Sequence, residues 1–285
     1  MIEKFIDYLK EKDLKENSIK GYTQSAKGYL KWFDQSKDIS FQKLNHENVR
    51  EYVSFLKTVK KLKPRTINTK LSGLIKFNEF LVEELAVQPE MVIGKKDFEK
   101  VQQQYASLST VGCEDVEKFR QVILDDGNVR YYALSTIFAY AGLRLSEALS
   151  LHTDDVHLIT REITVRDGKG DKSRIVYMSE KVKIALQSWF KERNNKDIDA
   201  DYLFPSNRKR RLDRTVVNIA FQRYSKQIGK NITPHVLRHF FCSNAINKGM
   251  SIHEVANQAG HSNIHTTLLY TNPTKTEMLD KMNQL

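Results

Sequence analysis

Four amphipathic helical stretches follow one another in the first 84 residues, and then the pattern stops. Apolar side chains recur every three to four positions over about 2–11, 18–35, 46–60 and 64–84, as in Tyr52, Phe55, Leu56 and Val59 or Leu71, Leu74, Ile75 and Phe77. Stripes of this kind are buried against one another, which predicts a small helical bundle. Asn45 stands where a cap for the third stretch is needed, and Pro64 opens the fourth. The next segment, "VQPEMVIGKKDFEKVQQQYAS", sustains no stripe. We expect a first domain over 1–90, a linker over 91–107 and a second domain over 108–285.

The second part reads differently. Helices are expected over 114–125, 130–141, 181–191 and 214–228, and again from residue 234, around a strand-rich stretch at 157–178. Within that stretch "REITVRDGKGDKSRIVYM" alternates β-branched and polar residues on either side of a Gly-containing turn, the pattern of a hairpin. The expected fold class is mainly α with a small β-sheet: a helical bundle joined to a mixed α+β domain. At 285 residues the chain is long enough for two hydrophobic cores.

Lys and Arg number 46 against 35 Asp and Glu, a formal charge of +11. Residues 1–105 hold 20 basic and 15 acidic side chains and the remainder 26 and 20, so both parts should be drawn to a polyanion. Cys113 and Cys242 are far apart and in no metal-like spacing, which suits a reducing compartment. The N-terminus is a charged amphipathic helix instead of a secretory signal, and no apolar run approaches a membrane span. A soluble cytoplasmic protein is expected.

Basic and aromatic residues interleave in "SIKGYTQSAKGYLKWF" and "KKLKPRTINTK", making Lys27, Lys63, Arg65 and Lys70 candidates for phosphate contact, with Arg208 and Lys209 further along. The plainer reading of the same stretches is an aromatic core with a solvated lysine face.

"TPHVLRHFF" concentrates two histidines and an arginine at an expected helix start, with Thr233 as cap and Pro234 in the first turn. His235 and His239 have the four-residue spacing of metal ligands on one helical face, and His261 and His265 repeat it, but neither the Glu of H-E-x-x-H nor a Cys cluster accompanies them. No metal is expected. "SIHEVANQAGHSNIHTTLLY" also has the short helix, Gly turn and second helix of a DNA-reading helix-turn-helix. Polar side chains facing water are the third reading.

The wider pattern separates these readings. In order the second part offers "AGLRLSEAL" with Arg144, "DGKGDKSR" with Lys169, "HVLR" with His235 and Arg238, "AGH" with His261, and "TTLLYTN" with Tyr270. Arg238 and His261 stand 23 positions apart, His261 and Tyr270 nine. This ordered set resembles the tyrosine recombinase (phage integrase) family, in which the Xer and Cre recombinases are the similar two-domain members. The resemblance covers the whole second part, about 180 residues. More loosely it covers the N-terminal bundle, which looks like that family's core-binding domain.

The resemblance implies a C-shaped clamp on duplex DNA and a definite set of roles. Tyr270 would be the nucleophile that forms a 3′-phosphotyrosyl link. Arg144, Arg238 and His261 would meet the phosphate oxygens, Lys169 would protonate the departing 5′ oxygen, and His235 would assist proton movement. Glu147 matches the supporting carboxylate; its alternative is an ordinary surface acid. Lys172, near Lys169, is the other lysine of the turn. His239 and His265 have no catalytic counterpart.

The resemblance also implies a homotetramer on two short inverted-repeat sites, monomeric or weakly associated away from DNA, with the C-terminal helix exchanged between protomers. Strand exchange through a Holliday junction would serve integration, excision or resolution, and an accessory protein or second recombinase stays open. The chemistry itself calls for no cofactor, because a phosphotyrosyl ester conserves the energy of the phosphodiester. "GKGDKS" moreover lacks the spacing of an ATP phosphate loop. Two alternatives share these residues: a topoisomerase-like relaxing enzyme without synapsis, and a DNA-binding regulator with a helix-turn-helix-like end and an inert recombinase fold.

Overall fold

The computed structural model describes residues 1–37, 39–87, 90–101, 111–166, 173–261, 267 and 283. The chain divides into two compact units, Met1–Gln103 and Gln104–Leu285. The mainly helical class with one small sheet is what the sequence patterning leads one to expect.

The first unit is built from α1 (Ile2–Glu11), α2 (Glu16–Ser36), α3 (His46–Thr58) and α4 (Pro64–Glu83). Their stripes meet in an aromatic core. The Phe5 and Phe77 rings are 5.1 Å apart edge to face, and Tyr29 meets Tyr52 at 5.2 Å in the same manner. Asn45 caps α3 by accepting from the Asn48 N–H at 2.8 Å. Beyond α4, Val92, Ile93 and Glu99 are tied to that helix. Asn78 is fully buried and accepts from the N–H groups of Val92 (2.9 Å) and Ile93 (3.2 Å), and Asn68 pairs with both backbone groups of Glu99. Those side chains satisfy backbone groups that have no helix or sheet partner.

The second unit opens with α5 (Cys113–Asp125) and α6 (Val129–Tyr140). Eight of the twelve α6 residues are buried, including an unbroken run from Ala133 to Ala139, because α5 and two later helices, α8 (Glu180–Asn195) and α10 (Pro234–Asn247), surround it. A helix apolar on all sides belongs at the centre of its domain. The single turn α7 (Leu145–Ala148) follows.

Then come β1 (Val156–His157), β2 (Glu162–Arg166) and β3 (Ser173–Tyr177), an antiparallel meander in which Arg166 faces Ser173 and Ile163 faces Val176. The expected hairpin is therefore formed, with its turn at 167–172 outside the described residues. Ile163, Val165 and Val176 point inward. Among the described residues the remaining α-helices are α9 (Arg214–Ile228) and α11 (Ile252–Ala259).

Candidate active site

Three helix ends converge in the second unit. Each owes its shape to a local backbone rule.

The first is the turn leaving α6. Gly142 adopts φ +69°, the left-handed conformation that glycine takes without strain, and so directs the chain into α7 with Arg144 just ahead of it. A Cβ at residue 142 would lie 2.3 Å from Phe241 Cδ1, so the position has no room for a side chain. The Gly142 carbonyl accepts a short hydrogen bond from Arg238 Nη1.

The second is the start of α10. Thr233 Oγ1 accepts from the Val236 N–H at 3.2 Å and Pro234 fills the first turn, as the cap pattern requires. One turn on, Arg238 is only 7% exposed, a buried cation in an otherwise apolar helix face. His235 and His239 face each other across that turn, with Nε2 atoms 2.9 Å apart and rings nearly perpendicular. One imidazole therefore donates to the other.

The third is the end of α11. Ser251 and Glu254 form a reciprocal capping box at its start, and Gly260, at φ +69°, ends it. The His261 N–H bonds back to the Ala256 carbonyl at 2.9 Å, which fixes the imidazole at the helix end. Its Nδ1 is 2.8 Å from the buried Thr267 hydroxyl, three positions before Tyr270 in sequence.

Glu147 joins the first of these to the third through two arginines. Its carboxylate accepts from the Arg144 N–H (2.7 Å) and Nη1 (2.6 Å), and from Arg174 Nη1 (3.0 Å) and Nη2 (2.9 Å) in a fork. Arg144 Nη2 donates to the Gly260 carbonyl and Arg174 Nη2 to that of Ala259, at 3.3 Å. Two guanidiniums thus sit on the negative end of α11.

The charges act on one another as their convergence requires. Burial, with the Arg144 charge second, pulls the Arg238 guanidinium down to about 10. Desolvation, then His235 and Arg238, lowers His239 to about 4; desolvation, then Arg238 and Arg144, does the same to His261. His235 is lowered by desolvation and by Arg238. Burial raises the Glu147 carboxyl, but hydrogen bonds and charge from Arg174, with Arg144 adding to them, outweigh it and hold the group below the ordinary carboxylate value. At neutral pH three guanidiniums therefore face one carboxylate and neutral imidazoles. The two uncompensated positive charges are suited to an anionic oxygen centre such as a phosphodiester.

Arg144, Glu147, His235, Arg238 and His261 are thus brought together. Lys169, Lys172, His265 and Tyr270 lie outside the described residues. Lys27, Lys63, Arg65, Arg208 and Lys209 are exposed and Lys70 is partly so, with Lys63 and Arg65 at the start of α4. Among the described residues no group of three or more His, Cys, Asp or Glu is arranged to hold a metal ion, and no helix is long and apolar enough to cross a membrane. Of the helix-turn-helix candidate, α11 and its Gly260 turn are formed.

Arg174 was not among the candidates. Strand alternation does signal it, since Ser173, Ile175 and Tyr177 are exposed while Arg174 shares the inward face of Val176.

Residues 113–277 match the phage integrase family, and residues 1–86 match the phage integrase N-terminal SAM-like domain. The chain is 49% identical to the TnP I resolvase of Bacillus thuringiensis, over 99% of both chains. It is 28% identical to the tyrosine recombinase XerD of Oceanobacillus iheyensis, over 98% of this chain and 95% of that one. A solved structure of the XerH site-specific recombinase bound to palindromic difH substrate superposes with a TM-score of 0.75 over 93% of this chain and 79% of the other, at 21% identity, a likeness of fold. A mainly helical domain with a small meander and an arginine-rich centre defines the class; the chain belongs to the phage integrase family, the tyrosine recombinases.

Proposed function

We propose that this chain is a site-specific recombinase that cuts and rejoins duplex DNA through Tyr270, and that resolution of a DNA molecule carrying two copies of its site is its task. The observation that carries the reading is the convergence of Arg144, Arg238 and His261 on one point, with two positive charges left uncompensated by Glu147. Near full-length identity of 49% to a protein named a resolvase supports the choice of resolution.

The chemistry follows from charge. A phosphodiester anion repels nucleophiles, and attack builds further negative charge on its non-bridging oxygens. Arg144, Arg238 and His261 receive that charge; one such preorganised donor is worth about 2.7–4 kcal/mol. The Tyr270 oxygen bonds to phosphorus as the bond to the 5′ oxygen breaks, and Lys169 supplies the proton that leaves with that oxygen. His235 moves the phenol proton. Each proton transfer contributes roughly 10²- to 10⁴-fold. Three such donors and two proton transfers together fall within the roughly 8–23 kcal/mol by which enzymes lower barriers.

The resulting 3′-phosphotyrosyl ester keeps the energy of the broken linkage. A 5′-hydroxyl from another strand then reverses the attack.

The N-terminal unit serves as the core-binding domain and the second as the catalytic domain, joined by the segment expected at 91–107. Lys27, Lys63, Arg65, Lys70, Arg208 and Lys209 contact phosphates, positioning the protein without reading sequence. Four protomers assemble on two inverted-repeat sites, and the C-terminal helix passes to a neighbour.

Covalent selection tests this. Wild-type protein is mixed with nicked suicide duplexes of randomised sequence, and detergent-stable adducts are recovered and sequenced. The expected result is one inverted-repeat duplex; two copies of it in direct repeat on a plasmid then yield two circles. Sequence-specific binding with no adduct would favour the regulator, and relaxation with unchanged sequence order would favour a topoisomerase.

A further inference from the structure

We infer that Arg174 is a positioning residue of the recombination site, fixing Arg144 and His261 in register by gripping Glu147 and the end of α11 together. This rests on the recombinase reading and adds a residue to it.

The geometry is a closed ring of contacts. From β3, Arg174 reaches Glu147 with both terminal nitrogens, at 3.0 and 2.9 Å, and the Ala259 carbonyl at 3.3 Å. Glu147 in turn holds the backbone and guanidinium of Arg144, and Arg144 closes the ring on the Gly260 carbonyl. The next residue is His261. Arg174 thus touches both the carboxylate holding Arg144 and the helix end carrying His261.

Close packing supports the same role. The Arg174 guanidinium lies against Gly260 so tightly that a Cβ there would be 2.5 Å from Cζ and 2.8 Å from Nε. Its Nε is buried with no hydrogen-bond partner among the described residues, so this guanidinium gives up one donor to hold its place. A lysine keeps the charge but cannot fork between a carboxylate and a carbonyl.

The test compares wild type, Arg174→Lys and Gly260→Ala on the suicide duplex recovered by covalent selection with wild type. Single-turnover cleavage at saturating protein and the dissociation constant are measured separately. Displacement of reacting groups by about an ångström slows a step roughly 100-fold, so Arg174→Lys is expected to cleave about 100-fold more slowly with affinity within about threefold. Gly260→Ala, which displaces the guanidinium while keeping the Arg174 side chain itself, is expected to act in the same direction. The double variant should be no slower than the worse single one.

Cleavage by Arg174→Lys within about threefold of wild type, or a loss that tracks affinity alone, overturns the inference. Should Arg174→Lys fail to fold, the comparison rests on Gly260→Ala, and normal cleavage by that variant overturns it equally. Absence of any covalent product from wild type is a different failure, because it removes the recombinase reading itself.

Discussion

Arg238 donates to the carbonyl oxygen of Gly142, two residues before Arg144, so the two arginines that face the proposed phosphate are held by one turn. Gly142 can form that turn because it tolerates φ +69° and leaves room for Phe241. Gly142→Ala is expected to lower folding stability by about 2 kcal/mol through strain and overpacking, and to slow cleavage well beyond what the loss of folded protein explains. Urea unfolding gives the first quantity and single-turnover cleavage the second. Trimming the ring with Phe241→Leu should recover part of both, since it removes the clash but not the backbone strain.

Glu147 carries one negative charge for two guanidiniums in a largely buried place, its side chain 13% exposed. Glu147→Gln leaves both cations without it. Removing one partner of a buried ion pair costs about 3–5 kcal/mol, and the lower figure is expected here because Arg144 is partly solvated. Chemical denaturation measures the loss, and adduct formation should fall with it.

Acid should weaken the fold through the imidazoles. His239 and His261 are lowered to about 4, chiefly by desolvation and then by neighbouring positive charge. Between about pH 6.5, where a free histidine titrates, and pH 4 the unfolded chain binds protons that the native chain refuses. Stability therefore stands at its full value above about pH 6.5 and declines as pH falls toward 4. Urea midpoints measured from pH 7.5 to 4.5 should drop, and His239→Asn should flatten the slope. A phosphate entering the site opposes the same shifts, so DNA binding near pH 6 is expected to take up protons. Calorimetry in two buffers of different ionisation enthalpy reads that uptake.

Lys169 is expected to protonate the 5′ oxygen, and chemistry offers a direct check. A sulfur at that bridging position leaves as a thiolate and needs no proton. Lys169→Ala should cleave an ordinary duplex about 10²- to 10⁴-fold more slowly and the sulfur-bridged one at close to the wild-type rate. Lys172→Ala should leave both rates nearly unchanged.

Much of this was legible in the sequence, for physical reasons that differ by element. Asn45, Pro64, Thr233 and Gly260 mark helix ends because capping is local chemistry within four residues. The β2–β3 hairpin follows from alternation alone. The convergence of Arg144, Arg238 and His261 was legible only through resemblance, since positions 23 or more apart meet by tertiary packing that periodicity does not encode. Arg174 shows the boundary clearly. Alternation turns it inward beside Val176, yet nothing local says that it meets Glu147, 27 residues earlier. The contact between His235 and His239 was foreshadowed by spacing, but as a metal-ligand pattern; the rings instead bond to each other.

The central claim is that Tyr270 attacks a DNA phosphate held by this arginine and histidine cluster. Digesting the detergent-stable adduct with protease and nuclease, and sequencing the nucleotide-bearing peptide by mass spectrometry, tests it most directly. The expected result is a peptide modified on the Tyr270 oxygen through a 3′-phosphate, absent from Tyr270→Phe. A modification on any other residue, a 5′-phosphate linkage, or an undiminished adduct in Tyr270→Phe would contradict it.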